Sequence, residues 1–273
     1  MAGNDDHASI ENRLDLEAYL ARIGYAGRLD PTIETLQGLH FAHATRIPFE
    51  NLDILLGRTI LLDLKSLQSK LVENRRGGYC FEQNTLFAAV LESLGFAVTR
   101  LAARVRFGSS AIRPRSHMLL AVEIDGQAWL ADVGFGGEGL LYPIRLDRDD
   151  ENHQGAWTFR VKVEGEVHVL QSLHAEGWFD LYAFTREAQY PVDFVVSNHF
   201  TSTYPHSPFV QSLVVQRTGL EVRWTLRNRE LAEQSPDRQT TRALPDDDAV
   251  LATLAEVFDL RFPAGTRFRF VND

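Results

Sequence analysis

Apolar residues recur at helical spacing through the first ninety positions and at strand spacing over most of the remaining chain. Leu14, Ala18 and Ile23 mark a short amphipathic helix that stops near Gly24. Asp30-Pro31 reads as a second helix start, with Asp30 as N-cap and Pro31 at the first helical position. Ile33, Leu36, Leu39 and His40 supply its 3/4 spacing, and Pro48 ends it. Asp63 caps a further helix carrying Leu64, Leu67 and Leu71. Residues Cys80 to Leu94 are helical again, with Gly95 just past the end.

Beyond Gly95 the period changes. Strand-like runs cover Ala97–Arg106, His117–Ile124, Gln127–Val133, Trp157–Val163, Val167–Leu173 and Trp178–Phe184. Asp125-Gly126 and Glu164-Gly165 are turn signals between them, which predicts a largely antiparallel sheet or barrel. The last seventy or so residues mix strand-like Leu213–Arg217, Leu220–Leu226 and Phe268–Val271 with a helical Asp248–Phe258. Soft boundaries fall near 95 and 195. No internal repeat interrupts the pattern.

Composition adds little to this. The chain has 273 residues, 44% of them hydrophobic, enough for a sizeable core. No apolar run is long enough to span a bilayer. Met1–Arg13 is polar and partly acidic, without the basic start and apolar run of a secretory signal, so a cytosolic location is expected. A net charge of −9 makes nucleic acid and anionic membrane poor partners. One stretch departs from it. No acidic residue lies between Glu92 and Glu123, whereas Arg100, Arg104, Arg106, Arg113 and Arg115 do. They are either solvated surface residues or face an anionic ligand.

The single cysteine, Cys80, excludes an internal disulfide. Gly77 and Gly78 precede it and a helix comes after it. The thiol therefore sits at a helix N-terminus, where free N–H groups and the macrodipole favour an anion and could also hold an oxyanion. A thiolate nucleophile needs a histidine, and the histidine needs an orienting group. If Asp125-Gly126 is a two-residue hairpin turn, Ile124 pairs with Gln127 and Leu119 with Asp132. His117 then shares a face with Leu119 and lies diagonal to Asp132, roughly 7–8 Å away at the backbone. The opposite face, with Met118, Leu120, Val122, Ile124, Trp129, Ala131 and Val133, reads as core. His40 and His43 have a spacing that suits a metal, but no cysteine or acid completes a set, so no metal is expected.

These segments resemble the arylamine N-acetyltransferases. The resemblance rests on Arg76-Gly77-Gly78-Tyr79-Cys80-Phe81-Glu82-Gln83-Asn84, Ile47-Pro48-Phe49-Glu50-Asn51-Leu52, Arg115-Ser116-His117, Leu130-Ala131-Asp132-Val133-Gly134-Phe135-Gly136-Gly137 and Ser202 to Phe209. It fades beyond about residue 212. It implies an α+β fold with a papain-like cysteine-triad core: an N-terminal helical bundle (1–95), a central antiparallel β-barrel (96–195) and a C-terminal α/β lid (196–273). It implies Cys80 as nucleophile, His117 as acid and base, and Asp132 as orienter. Phe49, Phe135 and Phe209 would line an acceptor pocket. Gly134, Gly136, Gly137, Thr203 and Ser207 would contact CoA. The implied reaction is ping-pong transfer from acetyl-CoA to an arylamine or arylhydrazine. Papain-like peptidases and transglutaminases share the Cys-His-Asp order, and a binding module without turnover is a third reading. The aromatic residues near the triad favour a closed pocket over a peptidase cleft.

Overall fold

The structure, a computed structural model, describes residues 14–109 and 111–270. The chain opens with helices α1 (Leu16–Ile23) and α2 (Ile33–Arg46), strand β1 (Phe49–Glu50), and short helices α3 (Leu52–Leu55) and α4 (Leu64–Leu67). Helix α4 runs into a π-helical turn, Gln68–Glu73, and then comes α5 (Cys80–Ser93). Gly24 closes α1 in the left-handed conformation, and Asp63 caps α4 through the Ser66 amide. The start of α2 differs from expectation. Thr32, not Asp30, accepts from the Thr35 amide, while Asp30 pairs with Arg28 at the surface. The helix ends at Arg46, two residues before Pro48, because a proline disfavours helical geometry in the residue before it.

Eight strands then form one antiparallel sheet: β2 (Ala97–Val105), β3 (Arg115–Ile124), β4 (Gln127–Ala131), β5 (Ile144–Arg145), β6 (Asn152–Gln154), β7 (Trp157–Glu164), β8 (Val167–His174) and β9 (Gly177–Phe184). Their order is β5-β4-β3-β2-β9-β8-β7-β6. The sheet rolls into a nearly closed barrel whose edges are stitched by Gln154. Its side chain accepts from the Leu141 and Tyr142 amides and donates to the Tyr142 carbonyl. Asp125 and Gly126 both have positive φ, the requirement of a tight hairpin turn, and Ile124 pairs with Gln127 as the sequence predicts.

Strand β3 divides two cores. Met118, Leu120 and Val122 pack toward the helices with Phe81, Phe87 and Leu91. Leu119 and Ala121 pack inside the barrel with Leu130, Phe159 and Leu181. The alternation expected of an ordinary half-buried strand therefore becomes two apolar faces.

The C-terminal part adds α6 (Pro191–Thr203), α7 (Pro208–Gln211), β10 (Val214–Thr218), β11 (Arg223–Arg227), β12 (Glu230–Ser235), β13 (Arg238–Ala243) and α8 (Asp247–Phe258). Two expectations fail here. Leu220–Val222 is turn rather than strand, since Gly219 bonds back to Val222. Phe268 and Phe270 pack onto the third core without forming a strand, and Val271 lies outside the described residues. Helix α6 and strands β12 and β13 went unanticipated; β13 is exposed throughout and so lacks the apolar alternation that marks a strand. The five-stranded sheet has the order β1-β10-β11-β12-β13, so its edge strand comes from residues 49–50 of the helical region. No described helix is long and apolar enough to cross a membrane.

Candidate active site

Cys80 is held at its helix start by residues far from it in the chain. The segment leading to it lies beside Pro48–Glu50: the Glu50 amide donates to the Gly78 carbonyl and the Gly78 amide to Pro48. Only glycine fits this approach, because a Cβ on Gly77 would lie 2.1 Å from the Pro48 oxygen. Ion pairs fix the flanks. Arg76 pairs with buried Glu50 at 2.6 Å and with Asp53 at 3.3 Å, and Lys70 pairs with Asp53 at 2.8 Å and with Glu82 at 2.7 Å. Glu82 also accepts from the Tyr79 amide, which satisfies a donor at the helix entry. Burial raises its carboxyl to about 7, although Lys70 opposes the shift. Gln83 donates to the Gly78 carbonyl and accepts from His43, whose other ring nitrogen meets Tyr19.

The same helix points Cys80 toward the barrel. Its sulfur lies 3.8 Å from the Ser116 carbonyl, which precedes His117 on β3. His117 is 3% exposed and Asp132 fully buried, and Nε2 of the imidazole lies 2.7 Å from Oδ2 of the carboxylate. With Nε2 engaged by Asp132, Nδ1 is the nitrogen left for the thiol. Burial alone would lower the imidazole, yet the Asp132 charge, its hydrogen bond and the neighbouring Cys80 raise it to about 10. Burial likewise opposes ionisation of Asp132, but His117, Asn84 and Tyr182 hold its carboxyl below the ordinary range. Both shifts favour the charged forms of the pair.

Four donors converge on the Asp132 carboxylate. Oδ2 accepts from His117 and from the Tyr182 hydroxyl at 2.8 Å; Oδ1 accepts from Asn84 at 2.9 Å and from the Gly134 amide at 3.0 Å. Strand β4 stops at Ala131, short of the expected Val133, because the next amides turn to side chains. The Asp132 amide donates to His40 Nε2 and the Val133 amide to Asn84 Oδ1. His40 in turn donates from Nδ1 to the Leu141 carbonyl, and burial lowers it to about 4, keeping the ring neutral and able to accept. His40 and His43 are therefore structural, and no group of three or more potential ligands that could hold a metal occurs among the described residues.

The three phenylalanines gather beside this cluster. Phe135 meets His117 edge-on at 5.0 Å and stacks with Phe107 at 5.5 Å. Phe49 lies 5.8 Å from Phe209, which in turn meets Tyr79. Gly134 packs against the Cys80 backbone, where a Cβ would lie 2.8 Å from Cα. Gly136 abuts Gln216 and Phe49, and Gly137, with φ +97°, faces Phe107. Thr203 is exposed, its hydroxyl donating to His199 of its own helix. Ser207 caps α7 and donates to the Thr201 carbonyl. Both hydroxyls are thus already engaged within the lid.

The arginine stretch is largely neutralised. Arg100 pairs with Glu92, Arg106 with Asp180 and Glu164, and Arg115 with Glu187, while Arg104 donates to the Arg113 carbonyl. Arg104, Arg106, Arg113 and Arg115 line a groove of about 760 Å³ with Trp178 and Phe179, on a wall that includes none of Cys80, His117 or Asp132.

Asn84 is a site residue that the sequence reading does not single out, although its place one helical turn after Cys80 is a signal that could find it. Tyr182 and His40 carry no such signal, since each reaches Asp132 from an element whose placement no local pattern gives.

A thiol, imidazole and carboxylate are brought together between a helical bundle and a rolled antiparallel sheet, beside a phenylalanine wall, and the comparisons place this arrangement in the acyltransferase class. A family model described as N-acetyltransferase matches residues 32–266. The arylamine N-acetyltransferase of Escherichia coli K12 is 41% identical over 90% of this chain and 88% of its own length. The crystal structure of the Nocardia farcinica arylamine N-acetyltransferase superposes with a TM-score of 0.87 at 45% identity, covering 93% of this chain and 92% of that one. That of the Mycobacterium marinum enzyme in complex with CoA gives 0.86 at 38% identity, covering 90% and 93%. The chain belongs to the arylamine N-acetyltransferase family.

Proposed function

We propose that this protein moves an acetyl group from acetyl-CoA to the nitrogen of an arylamine or arylhydrazine, in two half-reactions through an acetyl-Cys80 intermediate. The observation that carries the reading is the buried, hydrogen-bonded His117–Asp132 pair set against the chain's single thiol at a helix start. In the first half, the Cys80 thiolate attacks the thioester carbonyl, and amides at the start of α5 face the developing oxyanion. The carbon–sulfur bond to CoA breaks, and the His117 imidazolium protonates the departing thiolate. His117 is then neutral. With Cys80 acetylated, one of the influences that raised the imidazole is also gone.

In the second half, the amine attacks the acetyl carbonyl, His117 accepts its proton, and Cys80 leaves as thiolate. The cycle closes with the starting ion pair restored. Arylamines suit such a base because they are weak bases whose conjugate acids lose their proton well below neutral pH, so they arrive neutral. Phe49, Phe135 and Phe209 support the aryl preference by offering flat apolar faces. The CoA complex of the Mycobacterium marinum relative supports acetyl-CoA as donor. A division into bundle (1–95), barrel (96–195) and lid (196–273), with the last boundary drawn back to the start of α6 at Pro191 so that it does not cut the helix, suits this chemistry: the first supplies the thiol, the second the His–Asp pair and the third Phe209.

Intact mass after mixing with acetyl-CoA tests the intermediate. One acetyl group is expected on Cys80, discharged on adding amine, and double-reciprocal plots at fixed amine concentrations should be parallel. Intersecting lines with no CoA release before amine is added would replace the intermediate with direct transfer in a ternary complex.

A further inference from the structure

Strand β10 sets Gln216 directly opposite Phe49 of β1, so the two side chains leave the same face of the C-terminal sheet. That face meets the glycine turn after Asp132. A Cβ on Gly136 would lie 2.6 Å from Gln216 Oε1 and 2.9 Å from the Phe49 ring. One on Gly137 would lie 3.3 Å from Phe107 and 3.7 Å from Gln216 Nε2. Phe107 stacks on Phe135, which touches His117. The Gln216 carboxamide is therefore set into the aromatic wall beside the His–Asp pair.

Its Oε1 is buried and has no hydrogen-bond donor. Folded proteins leave few such oxygens unpaired, so this one calls for a partner, an ordered water or a ligand donor. Two neighbours explain how a partner reaches it. Gly134 packs on the Cys80 backbone, and Gly136 is two residues further on, at most about 7 Å along the chain. Phe107, 43% exposed and at φ 44°, covers the same turn from the solvent side.

We propose that Gln216 selects among acceptors: its Oε1 accepts a hydrogen bond from a donor group on the far side of the aryl ring, such as a phenolic hydroxyl. The inference rests on the acyl-transfer reading above and adds to it the class of acceptor.

The test compares kcat/KM for para-aminophenol and para-toluidine in the wild-type protein, Gln216→Leu and Gln216→Glu. Following each substrate across variants cancels the intrinsic nucleophilicity of its ring. Gln216→Leu should lower kcat/KM for para-aminophenol about fivefold to tenfold, the worth of one neutral hydrogen bond, and leave para-toluidine within about twofold. Gln216→Glu keeps an acceptor oxygen and should restore para-aminophenol. The rate of CoA release without amine should not change in either variant. Equal losses for both amines would make Gln216 a packing residue, and no loss for either would mean that its amide does not face the ring. A slower CoA release would assign the amide to the donor instead. Failure of the wild-type protein to acetylate any amine would remove the acyl-transfer reading and this inference together.

Discussion

At the scale of single residues, the site is a buried carboxylate whose acceptor positions are filled. Asp132 holds His117 through one oxygen and is itself held by Asn84, Tyr182 and the Gly134 amide. Asp132→Asn keeps the shape but loses the charge that stabilises an imidazolium, and its amide can enforce the wrong tautomer. The analogous change in a serine protease lowers turnover by about 10⁴, and a loss of that order is expected here with the fold retained. Wild-type rates in a folded Asp132→Asn protein would remove the carboxylate from the mechanism. The same pair makes stability depend on pH. His117 rises from an ordinary 6.5 to about 10 in the fold, so its contribution is complete below pH 6.5 and is lost as pH climbs through 10. Asp132 is depressed below 3.8, so its contribution is complete above that value and is lost in stronger acid. The difference in Tm between wild type and Asp132→Asn should be largest between those two ordinary values and shrink toward pH 10. A difference that grows with alkali would contradict the raised imidazole.

At the scale of elements, two pieces of backbone geometry bring the residues together. The Asp125-Gly126 turn fixes the β3–β4 register, and with it the face that His117 shares with Leu119. The second is the contact of Gly77 and Gly78 with Pro48–Glu50, which aims α5 at the barrel. Gly77→Ala forces a methyl group into the Pro48 carbonyl, a backbone atom that cannot yield without breaking that contact. A loss of about 3 kcal/mol or more is expected from such overpacking, read by urea denaturation, with activity falling alongside. Unchanged stability would mean that the entry to α5 can widen to admit a methyl group. The failed expectations at this scale also have local causes. Asp30-Pro31 is a strong start signal in the sequence, but Thr32 lies next to the first helical turn and caps it. β13 escaped because an exposed edge strand carries no hydrophobic alternation.

At the scale of the whole molecule, the lid is tied to the bundle rather than resting on it. Strand β1 is the edge of the lid sheet, and buried Asn51 behind it makes three bonds across the junction. Its Nδ2 donates to the Phe209 and Ser212 carbonyls, each at 2.7 Å, and its Oδ1 accepts from the Val214 amide at 2.8 Å. Asn51→Ala strands two carbonyls and an amide in a buried place, so a cost of about 3 kcal/mol is expected. Phe209 is released at the same time, so KM for the amine should rise while acetylation of Cys80 persists. Thermal unfolding and the two half-reactions measured apart would check this; an unaffected amine KM would separate Phe209 from the acceptor.

The sequence alone determined what depends on near neighbours in the chain. The Gly-Gly-x-Cys entry placed the thiol at a helix start. The hairpin turn counted His117 and Asp132 onto one face, since a strand's side-chain period is two and its register is set by the turn. Only the tertiary structure decided which remote groups complete the site. Tyr182 and His40 reach Asp132 from β9 and α2, and Gln216 faces Phe49 because β10 pairs with a two-residue strand formed more than 160 positions earlier. Such contacts arise from closing the barrel and from sharing an edge strand between bundle and lid. Both are long-range pairings whose geometry no local pattern of hydrophobic and polar residues encodes.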